Sequence, residues 1–230
     1  MRFEIVAGLA AGLPDPLPAY APSLMPVRIG GRTDEGPGER RTGASGGRRI
    51  ETPGGRRALG HRPRPAAVLV LLHPDSNGET RTVLIERASH KGHHSGEVSF
   101  PGGKVEIGDD DRSATALREA AEEIGLDPVA AGVHIVGSLE SFWIPVSDFH
   151  VTPILALADR SPTLRADPRE VVRILRPRLD HFLPSAPIRL IEREIDGREL
   201  RYGTYDVDGL SVWGATARIL SQLGSIVAAG

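Results

Sequence analysis

Three glutamates stand close together in the segment Arg118-Glu119-Ala120-Ala121-Glu122-Glu123-Ile124-Gly125-Leu126. Glu119 precedes Glu122 by three residues and Glu123 by four, so a helix places the three carboxylates along one side. Like charges at that spacing repel, and something must offset them. One reading is a solvated acidic face, the common fate of glutamate pairs. The other is a site for a hard divalent cation with oxygen ligands. Mg²⁺, with Mn²⁺ as substitute, suits such a site when the substrate brings phosphates. Two features favour the metal. The acidic charge falls in the last turns of the helix, where the macrodipole opposes anions. Just upstream, Phe100-Pro101-Gly102-Gly103 forms a strand-to-loop exit whose glycines let backbone approach a ligand. Arg118 is placed to neutralise or orient one carboxylate.

These residues need a scaffold, and the hydrophobic pattern supplies one from residue 66 onward. The continuous apolar run 66–72 predicts a buried strand. Asp75-Ser76-Asn77-Gly78 is a hairpin turn signal, and 82–86 reads as the partner strand. Residues 87–96 are polar and rich in His and Gly, which predicts a loop, and 97–100 a short strand. The glutamate helix is expected over 113–124, with Gly125 as its C-terminal stop. Further strands are expected at 133–139, 151–158, 171–175 and 200–207, and a closing helix at 211–223. Mixed strands with few helices indicate an α+β or layered α/β/α domain.

Upstream of that domain the composition changes. Residues 30–65 hold ten glycines, four prolines and nine arginines with almost no apolar side chains. Such a stretch cannot offset its ordering entropy and is expected to be a disordered linker. The division is therefore an N-terminal arm, 1–62, largely a disordered linker from about 30, and a folded domain, 63–230; residues 1–29 hold some apolar character, and whether they pack on the domain or hang free is left open. A chain lacking residues 1 to about 60 is expected to keep its activity. The arm's paired arginines are read as a solvated face rather than a nucleic-acid contact.

Composition excludes several function classes. The chain has 230 residues, 40% of them hydrophobic and 25% charged, as in ordinary globular proteins. There is no cysteine, which removes thiolate catalysis, disulfides and Cys-ligated zinc, and fits a reducing cytoplasm. A net charge of -2 gives no reason to expect nucleic acid as partner. The apolar stretch 5–13 is too short to span a bilayer, so no membrane partner is expected. His90, His93 and His94 suggest zinc, but a fourth ligand at suitable spacing is missing, and a solvated or phosphate-facing loop is the preferred reading. Phe142, Trp143 and Trp213 are read as packing residues before adenine-stacking ones.

The segment 103–126 resembles the Nudix box. Its second half, Arg118-Glu119-x-x-Glu122-Glu123-x-Gly125, matches that pattern in full. In the first half an Asp replaces the usual Glu. Asp110 stands one residue too far from Gly103, whereas Asp109 restores that spacing and breaks the one to Arg118. A second stretch resembles the coenzyme A pyrophosphatase branch of the family: Val83-Leu84-Ile85-Glu86-Arg87-Ala88, then Gly92, Gly96 and Phe100-Pro101-Gly102-Gly103. It departs at Ile85, where Thr is usual, and at Gly92, where Arg is usual. Pro145-Val146-Ser147 with Val151-Thr152-Pro153, Pro168-Arg169-Glu170-Val171 and Trp213-Gly214 also resemble this branch, and together the similarity spans about 66–223.

The resemblance implies a Nudix α/β/α sandwich with a mixed central sheet. It implies a Mg²⁺-dependent hydrolase, with Mn²⁺ as alternative, that cleaves a diphosphate in a nucleotide-type small molecule. Glu119 and Glu123 would hold the metal, assisted by Glu122 and the Gly103 carbonyl, with Arg118 orienting. Arg87, Lys91 and His93 would touch substrate, and Glu170 is the candidate for an extra acid from a later loop. The implied substrate is coenzyme A or acyl-coenzyme A. The same box also serves ADP-ribose or nucleoside triphosphate hydrolases, and a non-catalytic nucleotide-binding module is a further alternative. Homodimerisation is left open.

Overall fold

The computed structural model describes residues 1–28, 62–88, 97–195 and 198–229. In chain order, helix α1 (Phe3–Ala7) and strand β1 (Val27–Arg28) precede β2 (Arg64–Pro74), β3 (Thr80–Thr82), β4 (Leu84–Arg87), β5 (Val98–Ser99) and β6 (Gly102–Lys104). Helices α2 (Arg112–Ile124) and α3 (Pro128–Ala131) follow, then β7 (Val133–Ser138), β8 (Phe142–Ile144), β9 (Phe149–Ala158) and β10 (Val171–Leu175). The chain ends with β11 (Arg189–Ile195), β12 (Arg198–Val207), β13 (Leu210–Val212) and α4 (Gly214–Ala229).

The main sheet has the order β3-β2-β9-β7, with β6 added to β2 and β8 to β9. β2 and β9 run parallel while the other pairs are antiparallel, so the sheet is mixed. Both faces are covered, which is why β2 is apolar without alternation. Ala67, Leu69 and Leu71 pack with Ala116, Ala120 and Ile124 of α2. Val70 and Leu72, on the opposite face, pack with Leu220, Leu223 and Ile226 of α4. The result is the expected α/β/α layering. A smaller sheet, β10-β4-β5, stands beside it.

Four expectations change. The strand expected at 82–86 is divided: Thr80–Thr82 pairs with β2, while Leu84–Arg87 pairs with β10 and β5. Buried Val83 lies between the two, and Thr82 N–H donates to Pro177 O at 3.1 Å, which draws the chain toward the segment after β10. The glycine exit is itself a strand, since Gly102–Lys104 pairs with Ala66–Val68. The closing helix begins at Gly214 because Leu210–Val212 turns back onto β12. Finally, the domain expected to begin at 63 includes residues 1–28, whose packing the sequence left open. Val6 and Leu24 are buried in the α4-side cluster, and β1 pairs with β12. Residues 30–61 of the expected linker lie outside the described residues.

Candidate active site

Helix α2 is fixed at both ends. Asp111 caps it by accepting from Ala114 N–H at 2.8 Å, and Gly125 ends it with φ 62°, a left-handed conformation that favours glycine. Its buried alanines at 116 and 120 bring the helix close to β2, and this sets the height of the glutamates above the sheet.

The three carboxylates occupy different environments. Glu122 is 57% exposed and Glu119 13%, while Glu123 is buried at 1%. Glu123 is held from two sides. Arg87 Nη1 donates to Oε1 at 2.9 Å, and Gly102 N–H donates to Oε2 at 2.9 Å. Burial nevertheless dominates, and the Glu123 carboxyl is pushed up to about 7. Glu119 is also pushed up, first by burial and further by the charges of Glu122 and Glu170, against the pull of Arg118. Glu170 of the loop before β10 is therefore brought to the neighbourhood of Glu119.

Arg118 organises the helix face. Its Nη1 donates to Glu119 Oε1 at 3.0 Å and Glu122 Oε2 at 3.1 Å, and its Nη2 to Lys104 O at 3.1 Å. The guanidinium is anchored by Asp109, with Nε to Oδ1 at 3.0 Å and Nη2 to Oδ2 at 3.1 Å, a bidentate pair. Asp109 is further fixed by Glu106 N–H and by Thr115 Oγ1–H, both at 2.9 Å. Arg118 above all holds its carboxyl well below the usual carboxylate range. Asp110 is exposed and makes no such contact, so the acid that serves Arg118 is Asp109. The spacing from Gly103 was the signal that pointed there.

Gly103 sits against Glu119. A Cβ at residue 103 would come within 2.5 Å of the Glu119 carboxyl carbon, so a larger residue there would displace the carboxylate from its present position. The Arg87–Glu123 pair and the Gly102 N–H contact were not foreseen from sequence. Lys91 and His93, with His90, Gly92 and His94, lie outside the described residues.

Other acidic and aromatic side chains are engaged elsewhere. Glu140 pairs with Arg218 at 3.0 Å, and Arg218 lies over the Phe142 ring at 4.4 Å. Trp213 packs on Tyr202 with ring centres 4.9 Å apart, and Trp143 Nε1–H donates to Asp148 at 3.1 Å. Among the described residues no group of three His, Asp or Glu side chains is already drawn together as a metal cluster. The donor chemistry still fits a hard cation: oxygen donors, and a half-buried Glu119 held against a glycine, its carboxyl raised first by burial and then by like charges. Among the described residues no helix is long and apolar enough to cross a membrane.

Comparison with known proteins gives a consistent picture. The NUDIX domain model matches residues 62–195. Nudix hydrolase 15, mitochondrial, of Arabidopsis thaliana is 38% identical over 172 residues, covering 72% of this chain and 59% of the relative. Nudix hydrolase 22, chloroplastic, of the same plant is 39% identical over 175 residues, covering 72% and 56%. The chain thus spans less than two thirds of the length of these two relatives. An uncharacterized Nudix hydrolase NudL of Yersinia pestis (strain Pestoides F) is 32% identical over 162 residues, covering 70% of this chain and 78% of the relative.

Proposed function

The chain belongs to the Nudix family, and on that premise we propose that it hydrolyses the phosphoanhydride bond of a nucleoside diphosphate derivative, with coenzyme A or acyl-coenzyme A as preferred substrate. The products would be 3′,5′-ADP and phosphopantetheine or its acyl form. The observation that carries this reading is the half-buried Glu119, held by Arg118 and pressed on Gly103, its carboxyl raised first by burial and further by Glu122 and Glu170. A site with so much negative charge and so few cations is suited to a metal that also takes phosphate oxygens.

Glu119 and Glu123, with Glu122 and the Gly103 carbonyl, are the groups that would hold Mg²⁺ or Mn²⁺. When bound, such an ion polarises the diphosphate and acidifies a water for attack on phosphorus. The chain's own part is positioning. Asp109 locks Arg118, and Arg118 fixes the Glu119 carboxylate. Arg87 and the Gly102 amide fix the two oxygens of Glu123, whose buried carboxyl they hold in place for the ion. Glu170 is the proposed extra acid.

The substrate assignment rests on the resemblance of residues 83–103 to the coenzyme A pyrophosphatase signature, which leads directly into Gly103. Residues that lead directly into the metal-binding segment are suited to set specificity for parts of the substrate beyond the diphosphate. The test is kcat/KM for coenzyme A, 3′-dephospho-coenzyme A, ADP-ribose and nucleoside triphosphates with Mg²⁺ and with Mn²⁺. Coenzyme A is expected to rank first. A higher value for ADP-ribose would reject the coenzyme A assignment and leave the hydrolase. Nucleotide binding without cleavage of any substrate would reject the hydrolase.

A further inference from the structure

At the far end of β2 from the glutamates lies an open cleft of about 710 Å³. Ala67 pairs with Gly103, whereas the cleft begins at His73, about 20 Å along the strand at ~3.3 Å per residue. Three arginines line it: Arg81 of β3, Arg160 just after β9 and Arg176 just after β10. Two carboxylates also line it, and both have partners. Asp75 accepts from Arg81 Nε at 2.9 Å and from the Asn77 and Glu79 amides, each at 2.9 Å. Asp159 is exposed and faces His134 Nε2 at 3.3 Å, a contact that is an ion pair only when the imidazole is protonated.

That leaves two cations without a carboxylate among the described residues. Arg176 donates only to the Ser161 hydroxyl at 3.3 Å and the Pro162 carbonyl at 3.1 Å. It is partly buried, and that burial lowers its pKa, as expected of a guanidinium with no anion to compensate it. Arg160 is exposed and has no side-chain partner among the described residues. The remaining titratable group, His73, adds no third charge. Its ring is 1% exposed, burial lowers its pKa, and Nδ1 donates to Pro74 O at 2.9 Å. Its Nε2 is left as a buried acceptor with no partner in the cleft lining.

We propose that this cleft is a second, metal-independent binding site for a phosphate dianion, held by Arg160 and Arg176 with Arg81 alongside. The lining carries three guanidiniums against two carboxylates, and neither Arg160 nor Arg176 makes an ion pair among the described residues, so an oxyanion is the ligand that suits them. Their forked N–H groups also suit its tetrahedral oxygens. Isolated half-buried cations are costly, and an anion at this place satisfies Arg176 without disturbing the Asp75–Arg81 pair. The site does not depend on the proposed hydrolysis, since none of its residues belongs to the carboxylate helix.

Calorimetric titration tests this with EDTA present, so that metal-bridged binding at the helix is absent. Inorganic phosphate is one probe and AMP the other, so that the free ion and the esterified group are told apart. Saturable binding of at least one is expected, with Kd raised on the order of tenfold by Arg160→Glu and by Arg176→Ala. The same binding is expected unchanged in Glu119→Gln. Arg160 is exposed and unpaired, so Arg160→Glu reports on the ligand even if Arg176→Ala folds poorly. No saturable binding of either probe, or equal Kd in wild type and Arg160→Glu, would overturn the proposal. Loss of binding in Glu119→Gln would overturn it too, by assigning the anion to the helix.

Discussion

Replacing Arg87 with methionine removes the cation that holds Glu123 and keeps most of the side-chain length. Glu123 is 1% exposed and Arg87 32%, so the pair is one-sided: a buried acid and a half-covered base. In the folded protein the Glu123 carboxyl lies near 7, against an ordinary value of 4.5. A carboxyl raised on folding favours the folded state when protonated. That contribution is full below about pH 4.5 and is lost as pH rises through 7. The ionised group therefore costs the folded state roughly 3 kcal/mol at alkaline pH. Arg87 is what limits the rise, because it and the Gly102 amide both favour the anion. Without Arg87 the carboxyl must climb beyond 7. The variant then keeps losing about 1.4 kcal/mol per pH unit above pH 7, where the wild type no longer changes through this group. Urea unfolding with EDTA at pH 5.5, 7, 8 and 9 measures this. The two proteins should differ little at pH 5.5 and diverge from pH 7 to 9. The divergence should vanish when both carry Glu123→Gln. A stability gap independent of pH, or Arg87→Met as stable as wild type at pH 9, would refute the reasoning.

Glu119→Gln is expected to lower kcat by a factor on the order of 10² with melting temperature nearly kept, because the amide still accepts from Arg118 but binds a cation poorly; near-normal turnover in the folded variant removes Glu119 from the site. Asp109→Asn should slow hydrolysis while Asp110→Asn does not, since only Asp109 makes the bidentate pair with Arg118; equal rates for the two would contradict that anchoring role. Leu24→Ala should cost about 2–4 kcal/mol of unfolding free energy, because Leu24 is fully buried in the α4-side core. Chemical denaturation reads this, and a change below about 0.5 kcal/mol would show that residues 1–28 do not share the cooperative core.

Local pattern carried much of this protein. The apolar run of β2 announced a strand covered on both faces, and the Asn77-Gly78 pair announced its turn. The helix with Gly125 as its stop was legible because its period and its left-handed cap are properties of a few neighbouring residues. The helical spacing of Glu119, Glu122 and Glu123 put acids on one side, and the family pattern gave them a role. What spacing could not decide was their burial. One helix face held an exposed Glu122, a half-buried Glu119 and a sealed Glu123, because β6 and β4 cover only part of it. Arg87 and Glu123 stand 36 residues apart, and their contact exists only because α2, packed on the main sheet, meets β4 of the smaller sheet beside it. The choice between Asp109 and Asp110 was of the same kind. Counting residues left both open, and only the path of the loop into α2, which turns Asp109 inward to Arg118 and Asp110 to solvent, selected one. The burial of Val6 and Leu24 was hidden for the same physical reason: apolar content says that a residue can be buried, and only the folded partner surface says where.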